Sequence, residues 1–167
     1  YIISMNVGFI YNDIYRYSVF GKKHPITNKR ISNVFDLSKI LNFHNVQYFN
    51  SNIASDKQLL IFHDKDYVEI LRNTEKTQKI SFENKKKYNI GTVSNPIFKE
   101  MYRRHAISTG SLILGSDLIL NKKLNYIFSP GSGAHHGRKN KASGFCYFND
   151  LATCILYLKK KYIKRIV

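Results

Sequence analysis

Short apolar segments alternate with longer stretches of helical periodicity, and this alternation limits the chain to few folds. Apolar runs over 7–11, 46–49 and 125–129 predict three short buried strands. Between them, one helix is predicted from about 27 to 45 and a second, longer one from about 96 to 121. Strands that are separated by helices pair in parallel after a crossover. The sequence therefore predicts an α/β fold with a parallel sheet.

The segments between these elements carry turn and cap signals. Ser55 and Gln58 have the spacing of a capping box, and Asp64 is predicted to cap the helix that follows. The segment 14–25 shows little periodicity, and the segment 73–88 is polar and rich in lysine. We predict a long loop over 14–25 and an exposed, mobile loop over 73–88.

The C-terminal quarter of the sequence bears on domain organisation. A helix is predicted over 148–161, and residues 164–167 have the composition of a strand that begins there. A parallel strand normally lies inside a sheet and is followed by further elements. We therefore interpret residues 1–167 as the N-terminal portion of a single longer domain, with no second domain.

The charge balance is strongly basic. The 167 residues include 27 Lys and Arg against 11 Asp and Glu, which gives a formal net charge of +16. Basic side chains displace counterions from phosphates, so nucleic acid is one candidate partner. The lysine clusters are dispersed along the chain, however, as at 85–87 and 159–161, which favours a solvated basic surface.

The two cysteines, Cys146 and Cys154, are too few for a structural zinc cluster and too far apart for a redox CxxC pair. No apolar run approaches the roughly 20 residues of a membrane helix, and residues 1–5 do not resemble a secretory leader. These features predict a reducing, cytoplasmic setting and no membrane partner.

The segment 130–150 carries most of the chemical information. It follows a predicted strand and precedes a predicted helix, and ligands of α/β proteins bind at the carboxyl ends of strands. His135 and His136 are adjacent there, and imidazoles are suited to proton transfer at neutral pH. Taken alone, such a pair is equally compatible with a structural role.

The whole segment, Ala134-His-His-Gly-x-x-x-x-Ala-Ser-Gly-Phe-Cys-Tyr-Phe-Asn-Asp150, resembles the signature of the histone deacetylase superfamily. That superfamily includes the acetoin-utilisation and acetylpolyamine amidohydrolase proteins. Further stretches agree with it in order and spacing: Gly21-Lys-Lys-His24-Pro25 with Arg30, His63-Asp-x-Asp-Tyr67-Val-x-x-Leu71, Gly91-x-x-x-Asn95-Pro96-Ile-Phe98 and Ser108-Thr-Gly-Ser111. The resemblance extends from about residue 7 to residue 167.

The resemblance implies an arginase/deacetylase-like three-layer α/β fold, incomplete in this chain, and zinc-dependent hydrolysis of acetylated amines. It implies that His136 is the general base and then the general acid, and that His135 orients and stabilises. It further implies a substrate-binding set and an inner cavity behind the metal. The substrate-binding residues would be Gly144, Phe145, Ser94 and Phe20, and the cavity residues would be Arg30 and Cys146.

Two departures from the family pattern limit this expectation. The family's zinc ligands, two aspartates and a histidine, have no counterpart within these residues, so we expect no metal ligand here and no deacetylase activity from this chain alone. The family's rim Asp is replaced by Ser94, which lacks the charge that holds a substrate backbone amide. The substrate class thus stays open between acetyl-lysine and small acetylated amines or polyamines.

Other readings of the same residues stay open. Phe145 is also compatible with ordinary core packing, and Cys146 with an inert buried thiol. His24 and His63 are predicted to be structural. An alternative to the catalytic interpretation is that the chain is a non-catalytic scaffold, which binds nucleic acid or a protein partner. A sheet that lacks strands exposes an edge, so a homo-oligomer is also predicted.

Overall fold

A computed structural model of the chain describes residues 6–21, 29–161 and 165–166. The described residues form a parallel sheet of three strands, β1 (Val7–Tyr11), β2 (Val46–Asn50) and β3 (Tyr126–Phe128), in the order β2-β1-β3. Val7 lies opposite Val46 on one side and opposite Tyr126 on the other. The predicted α/β class with a parallel sheet is confirmed.

Helices connect the strands and cover the sheet. They are α1 (Ile14–Tyr17), α2 (Arg30–Ile40), α3 (Asp56–Leu59), α4 (Lys65–Thr77), α5 (Phe82–Tyr88), α6 (Met101–Leu120) and α7 (Asp150–Lys160). In the described part of the chain, no helix is long and apolar enough to cross a membrane.

The sheet lies between two helical layers. Phe9 of β1 packs against Phe35 of α2, with their ring centroids 5.7 Å apart. The neighbouring residue Ile10 faces α6, where a Cβ on Gly115 would come within 3.2 Å of its side chain. Alternation along β1 therefore sends one set of side chains to each layer, as a three-layer fold requires.

Small residues let α6 approach its neighbours closely. A Cβ added at Gly110 would collide with the carbonyl oxygen of Asn52. The backbone N–H of Ala54 donates to the carbonyl oxygen of Ala106 on the same helix, at 3.0 Å. Helix α6 is thereby fixed against the segment that follows β2, at the carboxyl end of the sheet.

Several predicted boundaries are wrong. The segment 73–88 is not a loop: α4 runs to Thr77, and α5 begins at Phe82, where the Ser81 side chain accepts from the backbone N–H of Asn84. The lysines that made this segment look unstructured occupy the last turn of α5, where they complement the helix dipole. Tyr88 is buried at the end of that helix.

Three further boundaries differ from prediction. The segment 14–25 contains the short helix α1. Helix α6 begins at Met101, five residues after Pro96, since the backbone around Asn95 bonds to a preceding turn instead. Arg165 and Ile166 are not in a strand, and the rest of the predicted terminal strand lies outside the described residues. The Ser55–Gln58 capping box is confirmed, whereas the Asp64 side chain makes no cap hydrogen bond.

The larger of two buried clusters lies next to the loop that follows β3. Tyr67, Tyr147 and Phe148 are fully buried in it, together with residues of α4 and α6. The Tyr67 hydroxyl donates to the carbonyl oxygen of Tyr147 at 2.7 Å. The loop thus ends in the protein core, which holds its exposed portion in a fixed place.

Candidate active site

The loop between β3 and α7 is anchored by Asn149. Its side-chain oxygen accepts from the backbone N–H of Ala152 at 2.9 Å and caps α7. Its side-chain nitrogen donates to the carbonyl oxygens of His135 and Gly137, at 3.1 and 2.9 Å. One side chain therefore fixes both the start of the helix and the backbone that carries the histidine pair.

His63 hydrogen-bonds to the backbone of Asn149 and helps to hold it in place. Its Nε2 accepts from the backbone N–H of Asn149 at 3.0 Å, so its Nδ1 carries the proton and donates to the carbonyl oxygen of Lys139, 3.1 Å away. Burial lowers the pKa of His63 to about 4, so the ring is neutral at physiological pH. The predicted structural role of His63 is confirmed, and His24 lies outside the described residues.

Asp150 is a second anchor. It is fully buried, and its Oδ2 accepts from the Ser108 hydroxyl on α6 and from the backbone N–H of Gly133, the latter at 3.0 Å. Burial raises the pKa of this carboxyl group, although the hydrogen bond from Ser108 opposes the shift. Asp150 therefore ties the sheet-side start of the loop to α6 and α7.

The two histidines lie together on the surface of this loop. The His135 and His136 rings are exposed, with their centroids 4.0 Å apart. Nδ1 of His135 lies 3.0 Å from the carbonyl oxygen of Gly133. The His136 ring lies directly over Gly144, where an added Cβ would come within 2.9 Å of the imidazole. Glycine is thus required at 144 for this close approach.

The backbone at 144–146 is held in a turn that few residues adopt. Gly144 has a φ of 51° and Phe145 a φ of 69°, so a bulky residue takes a left-handed conformation here. The backbone N–H of Phe145 donates to the side-chain oxygen of Asn95 at 3.1 Å, and the Asn95 amide in turn donates to the carbonyl oxygen of Asn89. Asn95 is fully buried, so its hydrogen bonds hold Phe145 in place.

One cavity of about 150 Å³ brings together most of the predicted site residues. Phe20, Arg30, Gly144, Phe145 and Cys146 all line it. The histidine pair is not in the lining of this cavity, but the His136 ring packs on Gly144, which is in the lining.

Ser94 is the one predicted substrate-binding residue that does not line the cavity. It is exposed, next to the buried Asn95 that holds Phe145. The structure therefore places Ser94 next to the residue that holds Phe145 and not in the cavity wall.

Phe20 and Cys146 are two further residues of the cavity lining. Phe20 is only 4% exposed and stacks near Phe98 and His105, with ring centroids 4.6 and 5.6 Å away. Burial raises the pKa of the Cys146 thiol, so little thiolate is present at neutral pH. This favours an inert cavity thiol over a nucleophile.

The structure adds residues that sequence reasoning missed. Asn149 and Asp150 close the motif that carries the resemblance, so their position was a usable signal, but their roles as anchors needed the fold. His105 gave no signal, yet it is buried beside Phe20 with Nδ1 2.8 Å from the carbonyl oxygen of Met101. Burial lowers the pKa of His105 to about 4.

The donors at this site do not fit a catalytic zinc ion by themselves. Within residues 6–21, 29–161 and 165–166, no three His, Cys, Asp or Glu side chains converge as metal ligands. His135 and His136 supply at most two imidazoles, and the Cys146 thiol is protonated. A catalytic zinc site needs three protein ligands, so these residues alone do not make one.

Fold and site together define an α/β protein with a histidine pair beside a cavity of about 150 Å³. The sequence model of the histone deacetylase domain matches residues 24–167. The chain therefore belongs to the histone deacetylase family.

Relatives and solved structures agree with this assignment. The acetoin utilization protein AcuC of Bacillus subtilis is 30% identical over 160 residues, and that of Staphylococcus aureus strain MSSA476 is 32% identical over 165. An HDAC homolog from Aquifex aeolicus superimposes with a TM-score of 0.88 at 32% identity, and an HDAC homolog complexed with SAHA with a TM-score of 0.87.

The matches cover nearly all of this chain but less than half of each relative. The match to the B. subtilis AcuC covers 95% of this chain and 41% of that protein, and the match to the S. aureus AcuC covers 98% of this chain and 42% of that protein. For the two structures the shares are 96% of this chain and 43% of the other. The chain thus spans about two fifths of the length of the relatives it matches.

Proposed function

We propose that this chain supplies the acid–base histidines and the acyl-binding cavity of a zinc-dependent deacetylase that hydrolyses acetylated amines. The observation that supports this most directly is the His136 ring, which lies over Gly144 on the rim of the cavity. A base at that position is next to the space in which an acyl carbonyl would be bound.

The proposed roles follow from position. His136 takes a proton from the attacking water, whose oxygen bonds to the acyl carbon, and then gives a proton to the amine nitrogen as the C–N bond breaks. His135 stays beside it, because its ring contacts the Gly133 carbonyl oxygen and its own carbonyl oxygen accepts from the Asn149 side-chain amide. Adjacent exposed imidazoles give the pair access to solvent protons.

The cavity residues bind the acyl group in this proposal. The Gly144 carbonyl faces the substrate, and Phe145 and Phe20 contact it. Arg30 and Cys146 line the cavity behind the metal. The zinc ligands are proposed to come from the part of the relatives' length that this chain does not span. When bound there, zinc would polarise the acyl carbonyl.

The substrate is proposed to be acetyl-lysine or a small acetylated amine of the polyamine type. Ser94 bears on this choice because its hydroxyl is exposed next to the site and carries no charge. A neutral hydroxyl binds a peptide backbone amide more weakly than a carboxylate does. Short acetylated amines, which lack that amide, would lose nothing from this substitution.

The proposal is tested by comparing two proteins: this chain alone, and the product of the complete reading frame that contains it. Both are supplied with zinc and assayed for acetate release from N-acetyl-lysine amide and N-acetylputrescine. We expect release by the complete product and none by the chain alone. Hydroxamate-sensitive turnover by the chain alone would contradict the proposed origin of the zinc ligands, and an inactive complete product would contradict the function.

We also propose that the chain forms a homo-oligomer through the β3 edge, in a reducing cytoplasmic setting. Within the described residues, β3 is paired on one side only, by β1. Its side chains Tyr126 and Phe128 are 55% and 48% exposed. An exposed apolar strand edge favours pairing with another chain. Nucleic acid is the alternative partner. Its binding can be distinguished from self-association because its affinity falls steeply as salt is added.

A further inference from the structure

Arg104 is a buried charge that the proposed reaction does not use. It lies on α6, is 8% exposed, and lines the same cavity as Phe145 and Cys146. Its Nη1 donates to the carbonyl oxygen of Ser18 at 3.1 Å. Its guanidinium carbon lies 4.9 Å from the centre of the Tyr15 ring and 5.4 Å from that of Phe20.

The charge of Arg104 is not balanced nearby. In the described part of the chain, no carboxylate lies within ion-pair distance of its guanidinium. Burial lowers its pKa, and the positive charge of Arg30, which lines the same cavity, lowers it further. Buried charges are normally paired, because removing them from water is costly. The cavity is therefore electropositive where Arg104 faces it.

A second polar group in the cavity has no partner. The Tyr15 hydroxyl is buried and makes no hydrogen bond within the described residues, and Tyr15 lines the cavity beside Arg104. Burial raises the pKa of this phenol, so the hydroxyl keeps its proton and is available as a donor. A guanidinium and an unsatisfied O–H together match an acceptor with a negative charge.

The cavity has room for more than an acetyl group. Its volume of about 150 Å³ corresponds to the liquid volume of about five water molecules. An acetyl group has only three heavy atoms. An acyl chain that is longer by one methylene and a carboxylate uses this space and places its charge at the end of the chain.

We propose that the acyl group accepted by this site ends in a carboxylate, as in a succinyl group, and that Arg104 and Tyr15 bind that carboxylate. This inference rests on the proposed function, because it specifies the acyl group that the same site hydrolyses. Arg104 acts as a specificity-determining residue. Water adds a hydroxyl to the acyl carbon and a proton to the amine, as before, and the product is a dicarboxylate instead of acetate.

The test is equilibrium binding to the full chain, measured by titration calorimetry. Three ligands are compared: N-succinyl-lysine amide, its uncharged isostere N-succinamoyl-lysine amide, and N-acetyl-lysine amide. A charge-assisted contact to a buried guanidinium predicts that the succinyl ligand binds about 10-fold or more tightly than the isostere. This ligand comparison needs no variant and is unaffected by any change in folding.

Two matched variants locate the effect. Arg104→Gln is expected to remove the preference for the succinyl ligand over its uncharged isostere. Arg103→Gln, on the neighbouring residue, removes the same charge from an arginine that pairs with Glu75 outside the cavity. It is expected to retain the preference. Thermal unfolding of both variants confirms that they are folded.

The outcomes separate this inference from the function on which it rests. If N-acetyl-lysine amide binds as tightly as the succinyl ligand, the inference is wrong and the deacetylase proposal stands. Equal loss of preference in Arg103→Gln would also overturn it, as would free succinate binding as tightly as the succinyl-lysine ligand. If none of the acylated lysines binds, both proposals lose their support.

Discussion

The two sides of α6 and α7 differ in how completely they are packed. On the side of the histidine loop, Tyr147 and Phe148 are fully buried, and Asn149 and Asp150 bond to the backbone around them. On the other side, apolar side chains of these helices are exposed: Leu120, Ile155 and Leu156. The site is thus held by contacts within the described chain, whereas the opposite face contributes little to holding it.

This difference indicates that the geometry of the candidate site depends on interior packing and on a few polar anchors. Substitutions on the loop side should therefore lower the free energy of unfolding strongly, whereas substitutions on the open face should lower it little. Variants on the two sides test that contrast, from the largest expected effect to the smallest.

The largest effect is expected from Phe148→Ala. Phe148 contacts Tyr67, Tyr102 and His63 in the core. Truncation of a fully buried phenylalanine costs about 3–5 kcal/mol of unfolding free energy. Ile155→Ala on α7 is the matched change on the open face, where the side chain is already exposed, and should cost less than about 1 kcal/mol. Urea unfolding measures both, and equal costs would refute the contrast.

Acid should destabilise the loop side through His63 and His105. Both have a folded pKa of about 4, below the ordinary value of 6.5 in an unfolded chain, so the unfolded chain binds more protons between these values. Their neutral form therefore favours folding above about pH 6.5. That contribution is lost as the pH falls towards 4, by about 3 kcal/mol for each histidine.

Urea unfolding between pH 7.5 and pH 5 measures this slope before the ordinary carboxyl groups titrate. His63→Gln should reduce the slope by about half, and His44→Gln, at an exposed histidine, should leave it unchanged. An unfolding free energy that stays constant over this range would show that the two rings are not held neutral.

Asn95→Ala should have an intermediate effect. The change removes the acceptor of the Phe145 N–H and leaves the Asn89 carbonyl without its donor. Loss of these buried hydrogen bonds should cost about 2 kcal/mol. Asn95→Asp, which keeps the acceptor for Phe145, should retain slow hydrogen exchange at the Phe145 amide. If Asn95→Ala exchanges that amide as slowly as the unchanged chain, Asn95 does not hold the turn.

The smallest effect on stability is expected from Tyr126→Lys at the β3 edge, below about 0.5 kcal/mol. Its effect on assembly should be clear, because a lysine on an edge strand opposes strand pairing. Light scattering should show an oligomer for the unchanged chain and a smaller species for the variant. Val93→Lys, at an exposed residue of a loop, is the control and should not change the mass. A monomeric unchanged chain at high concentration would contradict the assembly proposal.

Sequence reasoning located the sheet well because strand patterns depend on local apolar runs. Val7–Tyr11 was predicted to the residue, and the capping box at Ser55 was correct, since both signals are contained in a few neighbouring residues. The lysine-rich segment 73–88 was misassigned because its helices depend on tertiary contacts such as the burial of Tyr88. Local polarity gave no indication of that burial.

At the site, the motif brought attention to the right loop but not to the residues that hold it. The distances between Asn149 and His135, or between Asn95 and Phe145, follow from how distant segments meet. Arg104 carried no motif at all. Its proposed role depends on a cavity that the sequence does not reveal. It also depends on the burial of Arg104, which is unusual because arginines are mostly exposed.

The central claim is that His136 moves the proton in amide hydrolysis at the rim of this cavity. The measurement that tests it most directly is kcat/KM for N-acetyl-lysine amide hydrolysis by the complete reading-frame product, with His136→Asn compared against His44→Asn. Loss of a general base predicts a decrease of about 10²- to 10⁴-fold for His136→Asn and an unchanged value for the control. A His136→Asn protein with full kcat/KM would contradict the account.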